Sequence, residues 1–478
     1  MPVKTFGRHF LPPCSCILQF CCYNNDIMNQ THAETIARAA LERVDPEQMI
    51  EQALSIEDNH LVVATENERH ELDLTNFRRI VVLGAGKATA KMARAVESVL
   101  GDRVAEGVIS VKYGHTAPLS KVKTIEAGHP VPDENSILAA QETVRIASEA
   151  DEETLCIVLI SGGGSALLTL PYSDGEHSLT LSDMQETTNL LLSSGATIQE
   201  INTIRKHISA VKGGRLAAHA APATILSLIL SDVVGDNLES IASGLTVPDP
   251  DSGADAWATV LRYQLQDRIP PNVVRLLQAC KKDPHLDTPK PKDPVFNRVH
   301  NVLIGTNAQA LEAARVKAEE LGYNTLVLSS QVTGEAREIA KFYSAIAVDL
   351  VAGAKACALP ACVLAGGETT VTIRGTGKGG RNQEMAAAFL AEIARRPKAF
   401  EGVTFLSAAT DGNDGPTDAA GGFASTEILA AAHAAELSLE ETLANNNSYE
   451  FLDRAGALFK TGPTNTNVCD LQILLVDA

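Results

Sequence analysis

Lys378-Gly379-Gly380-Arg381-Asn382-Gln383-Glu384 is a glycine-rich turn that leads directly into residues 385–393, an apolar run with helical spacing. Glycine lets the backbone approach a ligand closely, and a helix start presents unpaired N–H groups and a positive dipole end. Lys378 and Arg381 add positive charge at the same point. The stretch therefore predicts an anion site, such as a phosphate site, at Lys378, Gly379, Gly380 and Arg381. Taken alone, it fits a plain glycine-rich turn with a helix cap equally well.

Three further loops follow short apolar runs in the first half of the chain. Residues 79–83, 155–160 and 224–230 end in GAGKAT, SGGGS and SDVVGD, respectively. Continuous apolar strands followed by glycine-rich turns and helices are typical of a parallel α/β sheet. Ligands bind at the carboxyl ends of such strands, so we expect the three loops to open on one rim.

A second set of apolar runs begins after a proline-rich stretch. Its members are residues 302–305, 325–329, 362–365 and 404–408, and residues 368–374 (ETTVTIR) alternate like a half-buried strand. Four prolines, Pro284, Pro289, Pro291 and Pro294, predict a surface connection between the two sets. We therefore predict the α/β class: two α/β domains with Rossmann-like parallel or mixed sheets and an active-site cleft between them. The predicted bounds are 28–265 for the N-terminal domain, 266–300 for the connection and 301–478 for the C-terminal domain.

Composition excludes several classes of function. The 478 residues carry a formal net charge of −19 and contain no long Lys/Arg run, so we expect no nucleic-acid partner. No apolar stretch reaches the length of a membrane span, so we expect no membrane partner. The nine cysteines show no spacing typical of a zinc site. Those beyond residue 22 are scattered, as in reduced cytoplasmic proteins.

The first 27 residues differ from the chain that follows. They lack a signal-peptide core and a small-residue cleavage site, and only Lys4 and Arg8 are basic. An amphipathic helical pattern runs from Thr35 to Val44. We expect Met28 to be the functional start and residues 1–27 to be a translated leader or a disordered tail.

The loop Gly84-Ala85-Gly86-Lys87 resembles half of a dinucleotide fingerprint. The third glycine is missing because Thr89 stands in its place, and the P-loop spacing is absent as well. An ammonium group at a strand-to-helix turn can contact phosphate oxygens. Gly84, Gly86 and Lys87 are therefore phosphate-site candidates, with a tight turn and a solvated lysine as the alternative.

The loop Ser161-Gly162-Gly163-Gly164-Ser165 is the more specific signal. Three consecutive glycines are costly in conformational entropy, and a bound anion in a nest of N–H groups commonly offsets that cost. A nucleophilic serine is the rival interpretation, but the loop lacks the GxSxG pattern of a nucleophile elbow. All five residues are anion-site candidates.

Two other segments concentrate charge. Arg205 and Lys212 lie in a basic stretch, where they are candidate anion ligands, while His207 fits a packed or hydrogen-bonding role better than a catalytic one. Asp411 and Asp414 lie in DGNDGPTD, which predicts either a Mg²⁺ site or a turn stabilised by Asx hydrogen bonds.

Taken together, the motifs resemble one known family. GAGKA, SGGGS, NTIRKHISAVKGGRLA, SDVVGD, ASGLTVPDP, GGETTVTIRGTGKGGRNQE, ATDGNDGPTDAAGG and TGPTNTNV occur in the order of the glycerate 2-kinase family with a C-terminal MOFRL domain, whose members are often labelled hydroxypyruvate reductase. The resemblance runs from about Thr35 to Asp470. It implies two α/β domains that bind ATP and D-glycerate in the cleft between them, with Lys87 and Arg381 as functional residues.

Two positions depart from the family pattern. Leu245 stands where the family has proline, and Asn465 stands where it has glycine. Both departures concern the geometry of loops more than the chemistry of the site.

The residues suit phosphoryl transfer, which needs charge neutralisation and alignment more than covalent catalysis. Lys87 and Arg381 can stabilise the transferred group, and Asp232 can orient and deprotonate the attacking hydroxyl. The SGGGS loop can hold the glycerate carboxylate, and Glu368 in GGETT is a further binding candidate. The family resemblance implies that the reaction gives 2-phosphoglycerate and ADP, and Mg²⁺ can bridge the phosphates through an aspartate.

Two rival functions stay open at this point. An NAD(P)H-dependent hydroxypyruvate reductase would need an acid for the ribose, and Glu97, Asp102 and Glu106 are only loosely placed for that role. A non-catalytic sensor of sugar acids or nucleotides is the second rival. The acceptor, the regiochemistry and a homo-oligomeric state are also open, as is which aspartate is the base and which binds Mg²⁺.

Overall fold

The computed structural model describes residues 15–353 and 356–478. None of the helices in these ranges combines the length and hydropathy that a membrane span requires.

The strands of the described residues form three sheets. In chain order they are β1 (Leu54–Glu57), β2 (His60–Ala64), β3 (Arg69–Asp73), β4 (Arg79–Ala85), β5 (Val104–Lys112), β6 (Val122–Ala127), β7 (Thr154–Ile160), β8 (Thr224–Leu230), β9 (Val299–Gly305), β10 (Asn324–Val332), β11 (Ala361–Gly367), β12 (Val403–Ala409), β13 (Gly421–Ala424), β14 (Leu458–Phe459) and β15 (Asp470–Val476).

Helices cover the sheets. In chain order they are α1 (Ser15–Arg43), α2 (Pro46–Ala53), α3 (Thr89–Leu100), α4 (Glu134–Ser148), α5 (Gly164–Leu167), α6 (Leu181–Ser193), α7 (Ile198–His207), α8 (Arg215–Ala220), α9 (Gly253–Arg262), α10 (Pro271–Cys280), α11 (Asn307–Glu320), α12 (Ala336–Val351), α13 (Arg381–Arg395), α14 (Thr426–Ala434), α15 (Leu439–Ala444) and α16 (Ser448–Arg454).

The first large sheet is parallel throughout, in the order β6-β5-β4-β7-β8-β9. Every residue of β7 and β8 is buried, as expected for strands with helices on both faces. The three strands predicted in this half are β4, β7 and β8, and they are neighbours. The prediction that their loops open on one rim is confirmed.

The second large sheet is mixed, in the order β10-β11-β15-β12-β13-β14. Only the β10–β11 pair is parallel, and β15, which ends the chain, lies antiparallel between β11 and β12. In this register Asp470 is paired with both Gly367 and Ala409. The mixed two-sheet α/β class is confirmed. A small antiparallel sheet, β1-β2-β3, was not predicted.

The half-buried strand predicted at residues 368–374 is absent. Thr370 forms one isolated bridge to Glu335, and Ile373 is 80% exposed. The side chains of Asn445, Asn446 and Asn447 instead accept the N–H groups of residues 374, 375, 376 and 378. Alternation predicted a strand, but these hydrogen bonds satisfy the backbone without a neighbouring strand.

The structure also shifts the predicted domain bounds. Helix α1 is the first element that the structure describes, and part of it lies within the predicted N-terminal domain. It nevertheless packs on α11 and on the second sheet. The predicted connection at 266–300 contains α10, which packs into the helical layer formed with α7 and α9. Residues 299–305 form β9 of the first sheet. Residues 15–27 of the predicted leader lie in α1, and residues 1–14 lie outside the described residues.

Candidate active site

A cavity of about 1510 Å³ lies between the loops that follow β7 and β8 of the first sheet and the loops that follow β10 and β11 of the second. Both halves of the chain contribute to its wall. The predicted site residues that line it are Gly163, Ser165, Arg205, Lys212 and Asp232 from the first half and Glu368, Gly379, Gly380, Arg381 and Asp414 from the second. The structure thus brings ten of the predicted residues to one cleft.

The GAGK and SGGGS loops are bonded to each other beneath this surface. The Lys87 N–H donates to the Gly162 carbonyl at 2.9 Å, and the Ala88 N–H donates to the Ser161 hydroxyl at 3.1 Å. Gly86 has φ +146° and lies so close to Ser161 that a Cβ would overlap it. Ser161 is fully buried. Gly86 and Ser161 thus contact each other, and neither lies in the wall of the cleft.

Two other predicted glycines also act in packing. Gly84 lies within β4 against Leu159 of the neighbouring strand, and a Cβ on Gly164 would meet the Ala85 carbonyl at 2.9 Å. Neither residue lines the cleft. Close approach of backbones explains both glycines, and a ligand is not needed to explain them.

Asp232 lies against the SGGGS loop. Gly162 leaves the space that its carboxylate fills, and the Gly163 N–H donates to that carboxylate. Burial raises the pKa of Asp232 to about 6, and nearby Lys87 opposes this rise. The Cys469 thiol of the second half donates to the Asp232 carbonyl at 3.3 Å. Asp232 is therefore a carboxylate that exchanges a proton near neutral pH.

Arg205 and Lys212 are cations without carboxylate partners. Neither forms an ion pair with any residue that the structure describes. Lys212 is only 2% exposed and donates to the Leu168 carbonyl at 3.0 Å. Burial, and then the charge of Arg205, lower the pKa of Lys212 to about 7. The buried Lys212 and the half-buried Arg205 both line this cavity without an ion-pair partner, and such an arrangement suits an anionic ligand.

The neighbouring basic residues behave differently. The Lys206 ammonium lies 2.6 Å from the buried Asp249 carboxylate, and His207 Nε2 lies 2.8 Å from Asp287. His207 is fully buried. These residues stabilise the helical layer, in agreement with the packed role predicted for His207.

Arg381 faces the cleft, but two carboxylates compensate its charge. Its Nε and Nη2 donate to Asp470 at 2.6 and 2.9 Å, and Nη1 lies 2.9 Å from Glu368. Burial lowers the pKa of Arg381, yet the hydrogen bonds and charge of Asp470 outweigh burial and raise it. The expected free positive charge at this helix start is therefore absent.

The start of α13 already has an anionic partner from the protein. The N–H groups of Asn382 and Gln383 donate to the Asp414 carboxylate at 3.2 and 2.8 Å. The Lys378 ammonium lies 4.3 Å from the centre of the Tyr449 ring and does not line the cleft. The prediction that this helix start offers unpaired N–H groups beside Lys378 needs this correction.

The two predicted metal ligands are differently placed. Both oxygens of Asp414 accept N–H groups of α13, and burial raises its pKa to about 7. Asp411 is half-buried in the loop after β12, where it accepts the Asn413 N–H at 3.0 Å. Within residues 15–353 and 356–478, no group of three or more His, Cys, Asp or Glu has a metal-binding arrangement. Asp411 accepts fewer hydrogen bonds than Asp414 does among the described residues, so its carboxylate is the less committed of the two.

The three candidate ribose-binding acids of the reductase alternative either bond to other residues or are exposed to solvent. Glu97 accepts the N–H groups of three consecutive residues, 120–122, at 2.7 to 2.9 Å. Glu106 is paired with Arg79, and Asp102 is fully exposed. None of these three acids lines the cleft, so none of them is placed to bind a ribose there.

Sequence reasoning missed His129, which lines the cleft just after β6. A Cβ on Gly163 would lie 2.9 Å from its ring, so the imidazole covers the SGGGS loop. Burial, followed by the charges of Lys87 and Lys112, lowers the pKa of His129 to about 4. The signal in the sequence is Gly128-His129-Pro130, which directly follows Val122–Ala127, a strand without a continuous apolar run.

The two departures from the family pattern are accommodated locally. Leu245 is fully buried in the first-half core. Asn465 has φ +60°, a left-handed conformation that asparagine tolerates better than most residues. The backbone therefore keeps a glycine-like geometry at Asn465.

Comparisons with known proteins agree with this geometry. The Domain of unknown function (DUF4147) model matches residues 32–278, and the MOFRL family model matches residues 361–470. A glycerate 2-kinase of Pyrococcus horikoshii is 40% identical over 91% of this chain and 95% of its own length. A putative hydroxypyruvate reductase of Agrobacterium vitis is 40% identical over 83% of this chain and 87% of its own length.

A solved structure shows the same fold. The crystal structure of a glycerate kinase from Thermotoga maritima has a TM-score of 0.82 and 36% identity, covering 94% of this chain and 99% of that one. Both domain models occur in the order that the sequence motifs indicate. The chain belongs to the glycerate 2-kinase family.

Proposed function

We propose that this protein transfers the γ-phosphoryl group of ATP to the 2-hydroxyl of D-glycerate, giving 2-phosphoglycerate and ADP. The observation that carries the proposal is the wall of the cleft. There, Arg205 and Lys212, which form no ion pair among the described residues, line the same cleft as Asp232, whose pKa is raised to about 6; Lys87 lies beside Asp232 but not in the cleft wall. Membership of the glycerate 2-kinase family supports both the acceptor and the position of transfer.

Arg205 and Lys212 are the proposed ligands of the glycerate carboxylate. Both cations lack a carboxylate partner among the described residues, and Lys212 is almost completely buried. A bound carboxylate would compensate both charges and would favour the protonated form of Lys212. This assignment places the acceptor beside the SGGGS loop, whose Ser165 hydroxyl lies 2.9 Å from that of Ser243.

Asp232 is the proposed general base. A carboxylate with a pKa near 6 is ionised at neutral pH and is a stronger base than an exposed aspartate. Its direction is fixed because Gly162 has no side chain to displace it and the Gly163 N–H donates to it. Asp232 would orient the 2-hydroxyl and accept its proton as the oxygen attacks the γ-phosphorus.

Lys87 is the proposed partner of the transferred phosphoryl group. Its ammonium makes no ion pair within the described part of the chain, and its charge lowers the pKa of Asp232. A positive charge that is already in position before the reaction stabilises the negative charge that spreads over the phosphoryl oxygens in the transition state.

Arg381 is proposed to act from the opposite wall. Three of its nitrogens contact Asp470 and Glu368, which leaves N–H groups on Nη1 and Nη2 for a phosphate oxygen. Its role thus includes holding Glu368 and the loop before α13 in place. Gly379 and Gly380 belong to the same wall and would let a phosphate approach the backbone.

Asp411 is the residue proposed to hold Mg²⁺. Its carboxylate oxygens fit the preference of this ion, whereas those of Asp414 are used by α13. When bound, Mg²⁺ would neutralise phosphate charge.

The test is incubation of purified protein with MgATP and D-glycerate, with phosphorus NMR of the product. We expect the 2-phosphoglycerate resonance together with stoichiometric ADP, and loss of both in Lys87→Ala. A parallel incubation with NADH and hydroxypyruvate should show no oxidation of NADH. Product phosphorylated at the 3-hydroxyl would refute the proposed regiochemistry, and NADH turnover without phosphorylation would refute the kinase proposal.

A further inference from the structure

The second-half wall of the cleft includes a loop that belongs to no helix or strand. Residues 374–380 lead into the start of α13, and we call them the wall loop. Three glycines of this loop, Gly377, Gly379 and Gly380, line the cleft. Because no neighbouring strand takes up the N–H groups of the loop, other groups must satisfy its backbone and hold it in place.

The asparagine segment 445–447 supplies those groups. Its side chains accept the N–H groups of four loop residues, and the Gly377 N–H donates to the Asn445 carbonyl at 2.9 Å. A Cβ on Gly375 or on Gly377 would lie 2.5 Å or less from an atom of Asn445. These two glycines therefore let the wall loop lie directly against the asparagine segment, and a ligand is not needed to explain them.

Asn446 connects the wall loop to the helix behind it. Its Oδ1 accepts the N–H groups of Arg374 and Gly375 at 2.8 and 3.1 Å. Its Nδ2 donates to the Glu384 carboxylate at 2.8 Å and to the Thr372 carbonyl at 3.3 Å. The backbone of Asn446 has φ +53°, a left-handed conformation that asparagine adopts more readily than most residues. One amide therefore joins the loop to α13.

Glu384, the last residue of the GGRNQE motif, has a protein partner for each of its carboxylate oxygens. Oε1 accepts from Arg337 Nε, and Oε2 accepts from Asn446 Nδ2. Arg337 also donates to the Leu443 carbonyl, just before the asparagine segment. The Glu384 residue is only 1% exposed. Its carboxylate is thus fixed from both sides, and it acts on the cleft through Asn446 and not by touching a ligand.

We propose that Glu384 is a positioning residue for phosphoryl transfer, which holds the wall loop in the cleft through the Asn446 amide. Glu384 and Arg381 lie in the first turn of the same helix. The carboxylate therefore fixes the wall loop, including Gly379 and Gly380, relative to the guanidinium. The effect on the transferred group rests on the proposed function. The positioning of the loop rests on the hydrogen bonds themselves.

The test exchanges donor and acceptor between Glu384 and Asn446. Glu384→Gln replaces one carboxylate oxygen by an NH₂ group, which must then face a donor of Arg337 or of Asn446. Asn446→Asp places a second carboxylate beside Glu384. The double variant, Glu384→Gln with Asn446→Asp, again sets one donor against one acceptor, and the new carboxylate can still accept the loop N–H groups. We therefore expect two damaged single variants and a recovered double variant.

Limited digestion of the full chain with trypsin measures how firmly the wall loop is held. Arg374 is an exposed residue of the loop, so cleavage after it requires the loop to leave the asparagine segment. Mass spectrometry identifies this cleavage among the others. We expect it to be about 10-fold faster or more in each single variant, the change that loss of a hydrogen bond to a charged group causes. The double variant should be cleaved nearly as slowly as the unmodified protein.

Steady-state kinetics, at a temperature where all variants are folded, measures the effect on the reaction. Each single variant should lower kcat/KM for ATP by about 10-fold or more. The KM for glycerate should change less than about 2-fold, because Arg205 and Lys212 lie on the opposite wall. The double variant should recover most of the loss. A residue that only supports the fold would lower Tm and leave these kinetic constants unchanged.

Asn446→Gly and Asn59→Gly form a matched pair. The two asparagines have φ +53° and +65°, so glycine keeps the backbone at both positions. Asn59 is exposed in the turn between β1 and β2, and its side chain bonds to no residue that the structure describes. Asn446→Gly should reproduce the losses of the single variants, and it replaces them if they do not fold. Asn59→Gly should be cleaved and should turn over as the unmodified protein does.

Normal kcat/KM for ATP in the folded single variants, with or without faster cleavage, would overturn the proposal. A double variant no better than the single variants would do the same. The kinase proposal is decided separately, on the unmodified protein. If that protein forms no 2-phosphoglycerate, the kinase proposal fails, while cleavage after Arg374 in the exchange variants still decides whether Glu384 positions the wall loop.

Discussion

The guanidinium of Arg381 and the carboxylate of Asp470 form a bidentate ion pair, with N···O distances of 2.6 and 2.9 Å. Asp470 is fully buried where β15 pairs with the ends of both β11 and β12. Because Arg381 is the first residue of α13, the pair ties the start of that helix to the centre of the second sheet. The residue proposed to act on the transferred phosphoryl group therefore also stabilises the fold of the second half.

Replacement of Arg381 by lysine tests that coupling. An ammonium group cannot match the planar fork of the guanidinium, so Asp470 and Glu368 lose part of their pairing. We expect kcat to fall by roughly 10²-fold or more, the scale lost with one electrostatic donor, and Tm to fall as well. Steady-state kinetics and calorimetric melting measure the two effects. Arg374→Lys, in the exposed part of the same loop, is the control and should change neither.

A double variant distinguishes the two roles of Arg381. Arg381→Met with Asp470→Asn removes both charges, so no carboxylate is left buried without its partner. Tm should recover relative to Arg381→Met alone while kcat stays low. Recovery of kcat together with Tm would show that Arg381 only supports the fold.

Asp232→Asn should lower kcat by about 10²- to 10⁴-fold, the usual contribution of a general base. In the unmodified protein, kcat/KM should fall tenfold per pH unit below about pH 6, because protonation of Asp232 removes the base. A pH series between 4.5 and 8 measures this limb. Asp236→Asn in the same loop is the control. A limb that persists in the residual activity of Asp232→Asn would assign it to another group.

Lys212→Met should weaken glycerate binding and stabilise the ligand-free fold. Burial lowers the Lys212 pKa to about 7, so between pH 7 and 10.5 the unfolded chain binds more protons. The native state is therefore penalised most at pH 7 and below, and the penalty disappears as pH approaches 10.5. We expect Lys212→Met to gain about 1–3 kcal/mol at pH 7, from 1.36 kcal/mol per pKa unit less the lost hydrogen bond to Leu168.

Chemical denaturation at pH 7 and pH 9.5 measures that gain, which should be smaller at the higher pH. The KM for glycerate should rise at least 10-fold, while the KM for ATP should change little. Destabilisation at pH 7 with normal KM for glycerate would contradict a ligand-binding role for Lys212.

Gly163→Ala tests the contact between the SGGGS loop and His129. Gly163 has φ +84°, and a Cβ there would lie 2.9 Å from the imidazole. Gly322 has φ +93° with nothing within 4 Å, so Gly322→Ala carries similar backbone strain without the contact. Each variant should lose about 1–2 kcal/mol of stability. Only Gly163→Ala should also lose activity, by at least 10-fold, measured at a temperature where both are folded.

The sequence alone was sufficient to predict β4, β7 and β8 and the rim that their loops share. A short strand whose residues are all apolar must be buried on both faces of its sheet. Such a strand can be recognised from consecutive residues alone. The motif order also identified the family and brought attention to Lys87, Asp232 and Arg381. Alternation at residues 368–374 failed as a guide, because asparagines 445–447 replace the strand partner that the pattern requires.

Only the tertiary structure decided which charged side chains are free. Arg205 and Lys206 are adjacent in sequence, yet Lys206 is paired with Asp249 and Arg205 faces the cleft unpaired. Arg381 meets its partner Asp470 89 residues later, on a strand that inserts at the centre of the second sheet. Local sequence therefore determined where strands end and loops begin. The availability of each charge depended on long-range partners, because an ion pair is set by distance in space and not by separation along the chain.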